Sequence, residues 1–377
     1  MSLAWMMLIC LSGWQTSTKP TPPGVVITYS PASSKVYLGS PSLVRLGDEY
    51  LVSHDEFGPG SSKDITHIFV SKDEGKTWQK RATIYGQWWS GLFIHRGVLY
   101  LMGTSKEYGH VVIRRSTDAG KTWTDPKDSS TGLLHADGKY HTSAMPVVEH
   151  QGRLWRAMED AQGPGNWGAH FRSFMMSAPV DADLLKAESW TSSNRLGRDP
   201  TWLHNRIGGW LEGNAVLDPT GKMGIMLRVD FKDKQEKAAW IDVSADGKEA
   251  KFDTATGFID FPGGCKKFVI RYDPVSKHYW TLANAVPTEF QGGNAAMTRN
   301  TLALLKSSDL RHWEQTRVLM QAPNIKKHGF QYVDWLFEGD DIVAVVRTAF
   351  DDAFDGAHNQ HDSNYVLFTR VKGFRTK

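Results

Sequence analysis

The stretch that decides the fold is SKDEGKTW at residues 71–78, which recurs as STDAGKTW at residues 116–123. A shorter copy, SSDLRHW, lies at residues 307–313. The two full copies begin at residues 71 and 116, a spacing typical of solenoid and propeller repeats. The repeat therefore indicates one architecture of repeated units rather than two or three separate domains.

Each octet has the composition of a tight turn between two strands. Asp73 supplies a side-chain acceptor for backbone N–H groups of the turn. Gly75 supplies the positive φ that such a turn requires. Trp78 begins the next strand and is expected to pack beneath the turn, and the second octet repeats all three features. We interpret the octet as a structural element whose polar residues are not catalytic.

Six pairs of apolar runs surround these turns and predict six four-stranded blades. The first runs of the pairs lie at residues 42–45, 92–95, 145–149, 214–218, 268–272 and 333–337. The second runs lie at 50–54, 98–103, 154–159, 223–230, 279–285 and 342–348. The last unit lacks an outer strand, which residues 25–29 are predicted to supply, closing the ring. Seven blades remain an alternative if one long unit contains an additional blade.

The octets match the Asp-box motif, and the chain resembles the sialidase-like Asp-box (BNR-repeat) β-propellers over nearly all of residues 24–377. The resemblance implies an all-β, single-domain propeller of four-stranded blades. It says less about activity, because one fold hosts many functions.

The composition excludes some classes of protein. Lys and Arg number 44 against 41 Asp and Glu, so the chain lacks the excess positive charge of a nucleic-acid-binding surface. Residues 1–23 resemble a secretory signal peptide, although no Lys or Arg precedes the apolar run; the alternative is a disordered leader. Removal of this segment would leave Cys265 without Cys10 and exclude an intrachain disulfide. We expect a secreted or periplasmic monomer with no integral membrane segment after processing.

Propeller topology brings the starts of the first strands and the ends of the second strands to one face. Long polar loops follow the second strands, so this face is predicted to form a binding mouth. The predicted catalytic residues are His54, Asp55, Glu159 and Glu212. The predicted substrate-binding residues are Arg156, Arg228, Arg347, Lys266, His141, Trp89 and His361. The aromatic side chains expected to stack on sugars are Trp88, Trp89, Tyr140, Trp210 and Trp335.

These residue types suit the cleavage of an acidic glycan. Glycoside hydrolysis needs a proton donor and a nucleophile or base, and Arg or Lys holds a sugar carboxylate. Simpler interpretations remain open: Arg228 and Arg347 could form structural ion pairs with Asp230 and Asp351, and His54 could be a structural histidine. Residues 357–364 are rich in His, Asn and Asp, but we interpret them as a hydrogen-bonding rim. No metal or cofactor is expected.

The match to sialidases is incomplete. Sialidases carry an Arg-Ile-Pro motif at the first inner strand, whose Arg belongs to a three-arginine carboxylate clamp. Here Pro41 is kept, but Gly39 stands at the position of that Arg. Arg228 and Arg347 are candidates for the other two arginines, while no Tyr–Glu pair for the nucleophile is evident.

The chain also resembles propeller enzymes that remove rhamnose from glucuronate, by hydrolysis or by β-elimination. The matching residues are 53–55, 153–156 with Glu159, and 358–364. This resemblance makes His54 a candidate acid/base.

We therefore predict an exported enzyme that cleaves a terminal bond in a uronate- or sialate-containing glycan, with hydrolysis slightly favoured. The alternatives are a rhamnosyl-glucuronate lyase, an exo-sialidase with an altered clamp, and a non-catalytic glycan- or protein-binding propeller.

Overall fold

The computed structural model describes residues 21–231, 233 and 235–376. Six antiparallel sheets form the blades of a β-propeller, as predicted, and six blades account for the described chain. The leader prediction for residues 1–23 falls almost wholly outside the described residues.

The strands follow the chain blade by blade, after a first strand, β1 (Val25–Tyr29). Blade 1 contains β2 (Tyr37–Leu38), β3 (Ser42–Leu46), β4 (Glu49–Phe57), β5 (Ile65–Ser71) and β6 (Gln79–Tyr85). Blade 2 contains β7 (Trp88–His95), β8 (Val98–Thr104), β9 (Val111–Ser116) and β10 (Leu133–His135). Blade 3 contains β11 (Tyr140–His141), β12 (Val148–His150), β13 (Arg153–Asp160), β14 (Arg172–Pro179), β15 (Thr191–Ser192) and β16 (Leu196–Gly197).

Blade 4 contains β17 (Ile207–Leu217), β18 (Met223–Phe231), β19 (Lys237–Val243), β20 (Ala250–Lys251) and β21 (Phe258–Asp260). Blade 5 contains β22 (Val269–Asp273), β23 (His278–Ala283), β24 (Thr301–Ser307) and β25 (Glu314–Gln321). Blade 6 contains β26 (Gly329–Glu338), β27 (Asp341–Ala349) and β28 (Tyr365–Val371). The helical segments are α1 (Trp202–Asn205) and four 3₁₀ turns at Ala32–Ser34, Ala187–Ser189, Thr288–Phe290 and Ala295–Met297.

The N-terminal strand closes the ring. β1 pairs antiparallel with β28, with Val25 opposite Phe368 and Tyr29 opposite Tyr365. It is the outermost strand of blade 6, which confirms the closure predicted from the missing outer strand.

The core lies between neighbouring blades. Large aromatic side chains that the sequence analysis assigned to sugar stacking belong to this core instead. Trp210 and Trp335 are fully buried, and their indole N–H groups donate to Leu196 O at 3.2 Å and Val269 O at 3.0 Å. Tyr140 is also buried and donates to Asp137. Burial with a satisfied polar group is the usual structural role of such residues, so the stacking prediction is wrong for these three.

The octets form matching turns on the face opposite the predicted mouth. Asp73 accepts hydrogen bonds from the Thr77 backbone N at 2.9 Å and the Thr77 hydroxyl at 2.6 Å, and Asp118 repeats both contacts with Thr122. Gly75 has φ +84°, and an added Cβ would lie 2.2 Å from Phe368. The turn of blade 1 thus packs closely against blade 6, as expected for a structural element.

Candidate functional site

A cleft of about 570 Å³ opens on the face where the inner strands begin and the second strands end. Its lining residues are Gly39, Ser40, Asp55, Phe57, Gly58, Pro59, Lys63, Trp88, Trp89, Glu107, Tyr108, His141, Trp167, Leu211, Glu212, Tyr332, Arg347, His361 and Asp362. Blades 1, 2, 3, 4 and 6 all contribute, so the cleft lies over the centre of the ring.

Strained backbone concentrates in this cleft. Five lining residues other than glycine have positive φ: Lys63 (58°), Trp89 (46°), Tyr108 (53°), Glu212 (57°) and Tyr332 (53°). Each such conformation costs about 1–3 kcal/mol and persists only where the surroundings impose it, commonly at functional sites. Glu212 lies at a register shift in β17, between Leu211 and Asn214. Tyr332 lies at a register shift in β26, between Gln331 and Asp334. Such bulges re-aim side chains, here those of Glu212 and Tyr332.

Arg228 joins these two side chains. Its Nη1 donates to Glu212 Oε2 at 2.8 Å and to the Tyr332 hydroxyl at 3.3 Å, while its Nε donates to Cys265 O at 2.8 Å. Burial alone would raise the pKa of Glu212, but Arg228, His141 and Lys267 hold that pKa below its usual value. Glu212 is therefore ionised, and Arg228 pairs with it rather than with Asp230.

Two further guanidinium groups face the Tyr332 ring. Arg347 Cζ lies 4.5 Å from the ring centroid and Arg299 Cζ lies 5.8 Å from it. Arg347 also packs at 4.5 Å on Phe57 and donates to His361 O at 2.6 Å. Within the described chain, Glu212 is the only carboxylate hydrogen-bonded to any of the three arginines. Positive charge beside and behind the cleft can therefore attract an anion, with Arg347 lining the cleft itself.

Asp55 is buried on the other side of the cleft. Its two oxygens accept hydrogen bonds from the backbone N–H groups of Ser40 and Trp89, both at 2.8 Å. Burial raises the pKa of Asp55 to about 6, although these hydrogen bonds and Arg347 oppose the shift. Gly39 lies directly against this carboxylate, because an added Cβ would be 1.4 Å from Asp55 Oδ1. An arginine therefore cannot occupy position 39 while Asp55 keeps this place.

His141 forms part of the wall next to Asp55. Its ring lies 4.4 Å from the Trp89 ring and 4.2 Å from the Phe171 ring. Behind it, Glu159 Oε2 lies 3.4 Å from His141 Nδ1, and Glu159 Oε1 accepts from the Gly213 backbone N at 3.0 Å. Glu159 thus orients His141 and the bulge next to Glu212 and does not itself line the cleft.

The structure brings most of the predicted site residues together. Those that line the cleft are Asp55, Glu212, Arg347, His141, Trp89 and His361, and Arg228 is buried behind it, hydrogen-bonded to Glu212 and Tyr332. His361 pairs with Asp362 and contacts Arg347, and burial, with the nearby charge of Arg347, lowers the pKa of His361. This agrees with a hydrogen-bonding rim at residues 357–364. In the part of the chain that the structure describes, no cluster of side chains could hold a metal ion.

Three predicted residues lie elsewhere. His54 is adjacent to Asp55 in β4, so its side chain points to the opposite side of the strand, where it packs on Phe69 at 5.5 Å. Lys266 is fully buried and pairs with Glu236. Arg156 is also fully buried, donating to Thr142 Oγ1 at 3.0 Å and Ser143 O at 2.7 Å. None of the three lines the cleft.

Tyr332 and Arg299 are the important residues that the sequence analysis did not single out. Tyr332 lies within β26, just before the apolar run at residues 333–337 from which the inner strand of blade 6 was predicted. Its orientation depends on a bulge that spacing alone does not reveal. Arg299 ends a long loop between β23 and β24, and its contact with Tyr332 spans two blades.

A second cavity of about 600 Å³ opens among inner-strand ends on the opposite face. Its walls are mainly apolar, and its guanidinium group, Arg271, is already paired with Asp334 at 3.1 Å. Although this cavity is slightly larger, it has no acid–base pair comparable to Asp55 and Glu212 in the cleft. The cleft is therefore the candidate functional site.

Comparison with solved structures supports the fold. The chain aligns over 94% of its length with 99% of an alpha-L-arabinanase from Penicillium chrysogenum, complexed with arabinobiose, at TM-score 0.58 and 15% identity. The alpha-L-arabinofuranosidase Arb93A from Fusarium graminearum aligns at TM-score 0.57 and 13% identity, covering 93% of this chain and 97% of that one. The Hadza microbial sialidase Hz136 aligns at TM-score 0.55 and 12% identity, over 89% of this chain and 66% of that one.

No protein-family model and no curated protein sequence matches the chain. The structural likeness, at these identities, supports the β-propeller fold alone. It leaves the activity to the site itself. A search of the described residues finds no helix long and apolar enough to cross a membrane.

Proposed function

We propose that the protein is a glycosidase that removes a terminal acidic sugar from a glycan. The observation that carries this proposal is the group of three buried guanidiniums, Arg228, Arg299 and Arg347, that face Tyr332. Arginine binds carboxylates with charge-assisted, often bidentate hydrogen bonds. A sialate carried by its carboxylate, which is attached to the anomeric carbon, would have that carbon placed against Tyr332; in a uronate the carboxylate is attached to C5, and the anomeric carbon lies across the ring oxygen.

Tyr332 is the proposed nucleophile. A carboxylate nucleophile would be repelled by the substrate's own carboxylate, whereas a phenol is neutral until it reacts. Arg228 donates to the Tyr332 oxygen and would stabilise the charge that develops there. Glu212, hydrogen-bonded to the same guanidinium, is the candidate base for the phenol proton.

Asp55 is the proposed acid/base. A pKa of about 6 leaves a large protonated fraction at mildly acidic pH, as a proton donor to the leaving oxygen requires. The Trp89 backbone N–H donates to this carboxylate, and the Trp89 side chain lines the same cleft, where it offers an apolar wall for the leaving group. After the first step, ionised Asp55 would activate the water that releases the sugar.

The missing sialidase arginine fits this arrangement. Gly39 leaves space for Asp55, and Arg299, beside Arg228 and Arg347, would supply the positive charge that position 39 lacks. Solved structures of the same fold include an arabinanase with arabinobiose and a sialidase, so the fold alone does not select the sugar. The arginines favour an acidic one.

The test is incubation of the full chain with matched panels of glycosides: sialosides, rhamnosyl-glucuronates, other uronate-terminated glycans and neutral arabinosides. Mass spectrometry should show release of an intact acidic sugar. An unsaturated uronate, detected by its absorbance, would instead support elimination, in which the arginines neutralise the carboxylate so that the C5 proton can leave. Binding without any product would support a non-catalytic propeller, and cleavage of arabinosides alone would contradict the acidic substrate.

Export also belongs to this proposal. It is supported by the signal-like composition of residues 1–23. The mass of the protein recovered from an expressing cell's exterior should match a chain that starts near residue 24, whereas an intact cytoplasmic chain would contradict export. The expected monomer can be checked by light scattering on the same sample.

A further inference from the structure

Lys267 is an unusual buried charge. Its side chain is 1% exposed, and its ammonium makes one hydrogen bond within the described chain, to Val333 O at 2.8 Å. An ammonium has three donors, and a buried one is costly unless it is paired. No carboxylate lies within salt-bridge distance of it in the described residues. Its burial is therefore not compensated by an ion pair.

The contrast with its neighbour Lys266 is direct. Lys266 is equally buried, but it pairs with Glu236 and donates to Ala295 O at 2.9 Å. The nearest candidate partner of Lys267, Asp334, already accepts from Ser42 Oγ, the Leu43 and Trp335 backbones and Arg271. Lys266 is therefore a satisfied ion pair, whereas Lys267 is not.

The position of Lys267 connects it to the cleft. Val333, whose carbonyl it holds, follows Tyr332 in the bulge between Gln331 and Asp334. The charge of Lys267 also acts on Glu212 and Asp334, and Arg271 and Arg156 lie near enough to repel it. Burial, the first of these influences, lowers the pKa of Lys267 to about 8, so it is still mainly cationic at neutral pH.

We propose that Lys267 is a positioning residue, which fixes the Tyr332 bulge through Val333 O and whose positive charge acts on Glu212. This inference rests on the proposed function of Tyr332 and Glu212. It explains why a poorly satisfied ammonium is retained at the centre of the ring. Lys267 does not touch the substrate and acts through these two residues.

The effect of the Lys267 charge on Glu212 must be separated from the effects of the other charges around Glu212. These are Arg228, which is hydrogen-bonded to it, His141 in the facing wall, and the more distant Arg299 and Arg347. Substituting Lys267 leaves all of them in place. A change in the pKa of Glu212 on this substitution would thus report the contribution of Lys267.

The test compares Lys267→Met with Lys266→Met in the full chain, by kcat/KM against pH, by Tm, and by ¹³C NMR titration of the Glu212 carboxylate. Lys267→Met should lower kcat/KM at least tenfold without lowering Tm. It should also raise the pH at which Glu212 titrates, so that the acid limb of the kcat/KM profile, where protonation of Glu212 reduces activity, moves to higher pH. Lys266→Met should lower Tm, because Glu236 is left unpaired, and should not move the acid limb. Lys267→Gln, which keeps a donor for Val333 O, should still move the Glu212 titration.

Unchanged Glu212 titration in both Lys267 variants would overturn the proposal, as would a fall in Tm that parallels the loss of activity. The NMR readout does not need turnover. A wild-type protein that cleaves no acidic glycoside would therefore count against the proposed function alone, and the Lys267 inference would be judged on the titration.

Discussion

The two faces of the ring use aspartate in opposite ways. On the turn face, Asp73 accepts three hydrogen bonds in a solvent-accessible turn, led by the Thr77 hydroxyl, and these lower its pKa to about 2. On the cleft face, Asp55 is buried, and burial raises its pKa to about 6. The turn aspartate is thus fixed as an anion that holds the fold, while the cleft aspartate is poised to exchange a proton. The surroundings of each aspartate, and not its residue type, therefore determine whether it serves the fold or the proposed chemistry.

The largest expected effect comes from the cleft tyrosine. Tyr332→Phe removes the nucleophilic oxygen but keeps the ring between the arginines, so kcat/KM should fall on the order of 10⁴-fold with little change in Tm. Kinetics on the best substrate of the panel would measure this. Tyr279→Phe, in the core between blades 4 and 5, is the matched control and should stay within a few-fold of wild type. Equal losses in both variants would place Tyr332 among ordinary structural residues.

Removal of the buried acid should have the next largest effect. Asp55→Asn should lower kcat/KM by about 10³-fold, within the range for a general acid. The acid form of Asp55 is present below its pKa of about 6 and is lost above it, so wild-type activity should fall as pH rises through that value. This basic limb should disappear in Asp55→Asn. A wild-type profile that stays flat between pH 5 and 8 would show that Asp55 is not the acid.

Gly39 tests whether Asp55 must keep its exact place. In Gly39→Ala, the new Cβ would lie 1.4 Å from Asp55 Oδ1 and must displace the carboxylate. A displacement of this order should cost about 10²-fold in kcat/KM. Gly47→Ala is the control. Gly47 has φ +59°, and an added Cβ would have no atom within 4 Å, so the substitution strains the backbone without affecting the cleft. Activity that survives Gly39→Ala would mean that the carboxylate position is not critical.

The turn aspartates should affect stability only. Asp73→Ala leaves the Thr77 N–H and Thr77 hydroxyl without their acceptor and should lower Tm by a few degrees while kcat/KM stays within twofold. The pKa of Asp73 is lower in the fold than in the unfolded chain. Its contribution is therefore complete above the unfolded pKa near 4 and is lost as pH falls towards 2. The Tm difference between wild type and variant should shrink over that range; a difference that grows there would contradict the assignment.

Much of the fold could be predicted from the sequence because its signals are local. Turn chemistry at residues 71–78 and 116–123, together with paired apolar runs, is enough to indicate blades. The closure by Val25–Tyr29 followed from counting strands, since the last unit lacked its outer one. These inferences need only short stretches of chain and a rule about how blades are completed.

The site was less predictable because its geometry depends on contacts between blades. His54 and Asp55 differ by one position in a strand, and only the pleat decides which of them faces the cleft. Tyr332 reaches the cleft through a bulge. Lys266 forms an ion pair with Glu236, which is 30 residues away in sequence. Loop composition predicted the mouth of the ring, but spacing could not assign the partner of each charge.

The stereochemistry of the product tests the central claim most directly. Attack by Tyr332 followed by water, with Asp55 acting first as acid and then as base, gives two displacements at the anomeric carbon. ¹H NMR of the first sugar released from an acidic glycoside should therefore show the anomer of the substrate's own configuration. An inverted anomer, or an unsaturated sugar, would contradict a covalent intermediate on Tyr332 and with it the assignment of the cleft.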